Sequence, residues 1–98
     1  MKIIWSPDAV DSVRDIATYI ALDKPIIARE WAEKIFDKVE VLSDFPETGR
    51  VVPEIGRNEI RELIHGRYRI IYKIELKEIL ILTIKSFRQD LKTDEIKA

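Results

Sequence analysis

The spacing of apolar residues changes twice along the chain, from a short extended run to a helical period and then to strands. Lys2–Trp5 is a brief β-prone run. Ser6-Pro7-Asp8 follows it, supplying a capping hydroxyl, a proline whose fixed φ suits a first helical turn, and a carboxylate for the positive end of the helix dipole. Val10, Val13, Ala17, Ile20 and Ala21 then recur at three- and four-residue intervals, with Asp8, Asp11, Arg14 and Asp15 on the other side. The pattern predicts a helix with one buried stripe, ending near Leu22. Asp23-Lys24-Pro25 interrupts the period, which resumes through Ala28, Trp31, Ala32, Ile35, Val39 and Leu42, with Phe36 widening the apolar face. A second helix, antiparallel to the first across a short turn, is expected.

From Asp44 the helical period ends, and Pro53 and Gly56 predict an irregular loop over residues 44–58. Residues 60–65, 67–74 and 79–86 are rich in Ile, Leu and Tyr and read as three strands, the first two joined by a tight turn at Gly66. In the middle strand Tyr68, Ile70, Tyr72 and Ile74 share one face and Arg67, Arg69, Ile71 and Lys73 the other, because strand side chains alternate with period two. The run from Ile79 to Ile84 is apolar on both faces, as a central strand covered on each side requires. The helical hairpin supplies one cover; residues 88–98 or a partner's helix would supply part of the other, and a groove left open there is a place to hold a partner. The fold class is therefore α+β: an N-terminal strand, a helical hairpin, then an antiparallel three-stranded meander packed on the helices, in a single domain over residues 1–98.

Composition narrows the chemistry more than the fold. Hydrophobic residues make up 46% and charged residues 36% of the chain, which is globular rather than disordered. Without cysteine and with one histidine, His65, neither a disulfide framework nor a thiolate or histidine metal cluster is available, so no metal or cofactor is expected. Ile3-Ile4-Trp5 is far too short for a leader or a membrane span, and the acidic polar faces of the helices would be repelled by anionic lipid; a cytoplasmic protein is expected. The formal net charge of −1 conceals an asymmetry: Lys and Arg number six against ten Asp and Glu in residues 1–49, but six against three in residues 50–73. Cationic side chains thus concentrate where the sheet is expected.

Those cations are the candidate partner-binding groups: Arg61, Arg67, Arg69, Lys73 and Arg88. Arg69, on a strand, presents a planar fork to a phosphate or carboxylate; the alternative is an arginine paired with Glu62 across the hairpin. For Arg61 and Arg67 an ordinary solvated or ion-paired role competes. His65 has a pKa suited to proton transfer, but beside Gly66 it also reads as a polar turn residue. Trp5, Trp31, Tyr68 and Tyr72 sit on apolar stripes and read as packing.

Four local sequences, in this order, carry a resemblance. Trp5-Ser6-Pro7-Asp8-Ala9 opens the chain, Phe45-Pro46-Glu47-Thr48-Gly49-Arg50 resembles an "FPxxGR" turn, Ile60-Arg61-Glu62-Leu63 with Tyr68-Arg69-Ile70-Ile71-Tyr72 resembles a "(V/I)REL … YRIIY" strand pair, and Arg88-Gln89-Asp90-Leu91 resembles a closing "RRDL". Together, over residues 2–91, they resemble the RelE/ParE superfamily of toxins from type II toxin–antitoxin systems, closer to its ParE-like branch. The resemblance implies a cognate antitoxin as partner, a toxin–antitoxin hetero-oligomer, and one of two targets. ParE-like members act as non-enzymatic inhibitors of DNA gyrase; RelE-like members are metal-independent endoribonucleases that cut mRNA on the ribosome. A nuclease here would draw on Arg69, Arg61 and Arg88 for the phosphate, with Glu62 or His65 as base. However, Ile60 and Glu62 stand where RelE lysines are expected, and residues 88–98 contain neither tyrosine nor histidine. A pI near 5.9 is also low for a binder of ribosomal RNA. The expectation is a gyrase-directed toxin, with the RelE-like ribosome-dependent nuclease as the alternative and a member that binds an antitoxin without toxicity as a third reading.

Overall fold

A computed structural model describes residues 1–88. Strand β1 (Lys2–Trp5) leads into helix α1 (Pro7–Ala21), which is followed after a short turn by α2 (Pro25–Glu40). Strands β2 (Arg50–Val51), β3 (Ile60–His65), β4 (Tyr68–Ile74) and β5 (Glu78–Ser86) complete the order. They form one five-stranded sheet, β1-β5-β4-β3-β2. Every neighbouring pair is antiparallel except β1 and β5, which run parallel. The expected strand–hairpin–meander architecture is present, with two strand pairings added to it.

The first addition is β1, which pairs Lys2 with Glu78 through Trp5 with Ile81, so that β5 lies between β1 and β4. That position accounts for the doubly apolar run in β5. The second is β2, inside the segment expected to be irregular. Two residues before Pro53 suffice to pair Arg50 with Glu62 and Val51 with Arg61, and the Val52 amide extends the ladder by donating to the Ile60 carbonyl at 3.1 Å. Beyond it the expected irregularity holds, with Gly56 at φ 68° in a conformation glycine adopts without strain.

Ser6 caps α1 as expected: its Oγ accepts from the Ala9 amide at 3.0 Å. The same hydroxyl donates to the Leu82 carbonyl at 2.8 Å, and the reason lies in β5. Ile71 pairs with Thr83 but Tyr72 with Ile81, leaving Leu82 as the extra residue of a β-bulge. Simple alternation therefore breaks at Leu82, and Ile79, Ile81 and Ile84 all enter the helix-side core despite their mixed parity. In the β3–β4 hairpin, Gly66 has φ 59°, as the first central position of a type II′ turn requires.

The main core lies between the sheet and the helices, built from Ala9, Val13, Trp31, Ile35, Val39 and Leu42 against Leu63, Ile70, Tyr72 and the β5 isoleucines. Tyr68 and Ile74 pack at its margin, so the reading of the β4 faces holds. Val10, expected in the buried stripe, is 48% exposed. Phe36 is also half exposed yet stacks on Trp5, ring centroids 5.0 Å apart. The far face of the sheet carries a smaller cluster of Val52, Ile60 and Ile71, with Ile55 and Leu82 against it. The second cover is thus partly the chain's own loop after β2; residues 89–98, the other expected cover, lie outside the described residues. Among the described residues no helix is long and apolar enough to cross a membrane.

Candidate partner-binding surface and a buried ion network

The register of β3 divides the candidate residues between the two faces of the sheet. Ile60, Glu62 and Ile64 face away from the helices, whereas Arg61, Leu63 and His65 face toward them, as the placement of Ile60 and Leu63 in opposite clusters shows. Arg69 pairs opposite Ile64 and so joins Glu62 on the far face.

There Glu62 and Arg69 are buried, with side-chain exposures of 0% and 6%. Arg69 Nε donates to Glu62 Oε1 at 2.6 Å, while Nη1 and Nη2 donate to the two oxygens of Glu54 at 2.8 Å each. Glu62 Oε2 accepts from Arg50 Nε at 2.6 Å, and Phe87 covers the Arg69 guanidinium, 5.7 Å from ring centroid to Cζ. Every carboxylate oxygen of Glu62 and Glu54 therefore has a cationic donor, which is the condition for burying charge at tolerable cost. The Arg69 bonds hold the Glu54 carboxyl below its ordinary range despite the opposing effect of desolvation, and Glu54, then Glu62, hold the guanidinium above its own.

This placement matches the second of the two readings of Arg69. The pairing with Glu62 across the hairpin is what the structure has, buried rather than on the surface, and each nitrogen of the fork already donates to a carboxylate of this chain. Glu62, expected as a possible base, is sealed by the same bonds. Arg61 bonds the Asn58 carbonyl, the Asn58 side chain and the Gly49 carbonyl at 3.0, 2.7 and 2.9 Å, holding the ends of the β2–β3 loop together. Lys73 Nζ lies 3.3 Å from Glu75. His65 is on the helix side, where Lys38 Nζ approaches its Nδ1 at 3.5 Å; desolvation first, then Lys38 and Lys34, push its pKa down.

Arg67 and Arg88 are placed differently. Both are exposed, and among the described residues neither enters an ion pair. They border a cleft of about 270 Å³ between α1 and the end of the sheet, lined also by Asp15, Ile16, Tyr19 and Tyr68. Tyr19 is 73% exposed, and Leu22 and Ile26, on either side of the charged Asp23-Lys24 turn, are exposed by 82% and 73%. Cations beside an apolar patch of this kind are what a macromolecular partner engages.

Residues 3–91 match the family described as "ParE toxin of type II toxin-antitoxin system, parDE". The chain belongs to the ParE toxin family. A solved chain titled "Chromosomal ParDE TA system from P. aeruginosa" is similar in fold, with a TM-score of 0.75 at 21% identity over 88% of this chain and 95% of that one. No curated protein matches this ParE-family chain.

The ParE-type turn at Phe45–Arg50 gains a physical reading that its sequence alone did not reveal. The Tyr72 hydroxyl donates to the Pro46 carbonyl at 2.7 Å and accepts from the Gly49 amide at 2.9 Å, locking the turn onto the sheet. Gly49 is required there because a Cβ would lie 2.6 Å from the Glu62 carbonyl and 2.7 Å from the Tyr72 hydroxyl. Burial raises the Tyr72 pKa, keeping that hydroxyl protonated. Sequence reading passed over Glu54 and Arg50 as functional partners of Arg69 and Glu62. Glu54 lies in the irregular loop, where no periodicity reports which face a residue joins; the Gly-Arg at the end of the turn motif was the one available pointer to Arg50.

Proposed function

We propose that this ParE-family chain is a stoichiometric inhibitor of DNA gyrase, held in check in the cytoplasm by a cognate antitoxin in a hetero-oligomer. One observation carries the choice of target: the groups a nuclease would need do not converge. Glu62 and Arg69 are consumed by buried ion pairs on the far face, while Arg61 and His65 belong to the opposite face. Metal-free RNA cleavage needs a base, a phosphate-binding cation and an acid around one scissile bond, so the RelE-like alternative loses its framework. Arg67, Arg88 and the exposed Tyr19, Leu22 and Ile26 form the surface that recognises a partner; Lys73, ion-paired with Glu75, is not part of it.

The test is induced expression without antitoxin together with purified gyrase. DNA supercoiling is inhibited and a DNA-damage response with filamentation follows, while bulk translation continues at first. Immediate translation arrest with mRNA cut in the ribosomal A site would restore the nuclease, and no growth defect at all would leave a non-toxic antitoxin binder.

A further inference from the structure

A cleft of about 580 Å³ opens where β4 ends and β1 begins, lined by Met1, Asp44, Phe45, Pro46, Glu47 and Ile74 among others. Phe45 is exposed, and Leu76, two residues beyond Ile74 in the β4–β5 turn, is 90% exposed. Asp44 and Glu47 are exposed too, and among the described residues neither carboxylate enters an ion pair or accepts a hydrogen bond. The walls are held in place from within the chain. The Thr48 hydroxyl donates to the Phe45 carbonyl at 2.7 Å, the Tyr72 hydroxyl fixes Pro46 and Gly49, and the Met1 ammonium donates to the Ser43 carbonyl at 2.7 Å. A surface already ordered in this way loses little entropy when it is covered.

At the other end of β4 the signs are reversed. The strand runs from Tyr68, which lines the Arg67–Arg88 cleft, to Ile74, which lines this one, so the two clefts lie about 20 Å apart along the sheet. At the first end Arg67 and Arg88 outnumber Asp15, beside Ile16 and Tyr19. At the second, Asp44 and Glu47 outnumber the Met1 ammonium, beside Phe45 and Ile74.

We propose that a second copy of this chain docks its Arg67–Arg88 end against the Asp44–Glu47 cleft, so that the protein associates head to tail. Both halves of the complementary pair are on one chain, and every copy therefore carries the partner for the next. Guanidinium groups meet unpaired carboxylates, and Tyr19 meets Phe45 and Leu76, an aromatic and apolar centre with a charged rim. Pairing like ends about a two-fold axis would instead oppose arginine to arginine or carboxylate to carboxylate, which costs free energy. The interface is thus heterologous, and it leaves a free end of each kind on which further copies add unless a ring closes. Because each contact covers only one end of a small domain, the association is weak and reversible. Head-to-tail association is independent of the gyrase reading, although it would cover the same two arginines.

The test is sedimentation velocity on the full-length protein from micromolar to submillimolar concentration, at low and at high salt. The weight-average mass is expected to rise with concentration past that of two chains, and to fall back as salt screens the rim charges. Asp44→Lys with Glu47→Lys makes both ends cationic, and Arg67→Glu with Arg88→Glu makes both anionic. Each double variant alone is expected to weaken association about tenfold or more. An equimolar mixture of the two restores it, because the native arginine end of one meets the native carboxylate end of the other. Thermal midpoints measured in parallel show that all three proteins are folded. Head-to-tail docking is overturned if the parent stays at single-chain mass throughout at low salt, or if the mixture associates no better than its components. It is also overturned if the mass stops at two chains and ignores both charge reversals, which would mean a two-fold dimer through another face.

Discussion

At the scale of single residues the strongest constraint in the molecule is the Glu62 carboxylate, fully buried between two guanidinium groups. Truncating one member of a buried ion pair leaves the other charge desolvated and uncompensated, which costs about 3–5 kcal/mol. Glu62→Ala is therefore expected to destabilise by about that amount in urea unfolding, enough to threaten folding of a small domain. Adding Arg69→Ala to it should cost far less than Arg69→Ala does alone; strictly additive losses in the double-mutant cycle would show that the two side chains do not form one unit. Glu54, the outer member, is 42% exposed at its side chain and reports on pH. Its folded pKa lies below the ordinary 4.5, so its contribution is fully present above the unfolded value and is lost as pH falls through the lower, folded one. His65 acts in the same direction. Its pKa is depressed from 6.5, so protonation below that value favours the unfolded chain. Stability is expected to decline in two stages on acidification, and Glu54→Gln should remove the lower stage only, as read from unfolding midpoints between pH 7 and 3.

At the scale of elements, the parts that sequence made legible are those whose signal is periodic. The cap of α1 follows from Ser6-Pro7-Asp8, and the stripes of α1 and α2, the β4 faces and the centrality of β5 follow from local spacing, because each is fixed by which face meets the core. What stayed hidden is non-periodic or long-range. The two residues of β2 are too few to alternate, and the bulge at Leu82 changes the parity of β5 in mid-strand without a glycine to mark it. The partnership of Glu54 with Arg69 spans 15 residues from a loop. The candidate site suffered most, since a cation's position on a strand does not disclose whether a carboxylate elsewhere already occupies it. Two junctions between elements are testable. Ser6 bonds both the first turn of α1 and the bulge of β5, so Ser6→Ala is expected to cost about 1–2 kcal/mol, the upper part of the range for a helix cap. Tyr72→Phe strands the Gly49 amide and the Pro46 carbonyl together and is expected to cost about 1–3 kcal/mol in thermal or urea unfolding. A Tyr72→Phe protein as stable as the parent would show that the turn is not held by that hydroxyl.

At the scale of the whole molecule, charge is sorted by burial rather than merely by sequence position. The buried cation of the sheet's far face, Arg69, is neutralised internally, and Arg67 and Arg88, exposed and outside any ion pair among the described residues, lie at one end of the sheet, beside the exposed Tyr19 of the helical hairpin. If gyrase recognition uses that end, its electrostatics act through exposed groups and can be removed without disturbing the core. Arg67→Glu with Arg88→Glu is expected to change folding stability by no more than about 0.5 kcal/mol for each site, as surface substitutions away from buried networks do. The same pair should weaken gyrase inhibition about tenfold or more. Reversing two rim charges trades attraction for repulsion, slows association, and at roughly 1.4 kcal/mol in total already amounts to one decade. The loss should shrink as ionic strength rises, because exposed charges are screened beyond about 10 Å at 0.1 M salt. A supercoiling assay over a salt series, with the thermal midpoint measured in parallel, separates the possibilities. Unchanged inhibition at low salt removes this end of the sheet from the gyrase interface, whereas reduced inhibition with a lowered midpoint would mean that the arginines support the fold instead of the partner.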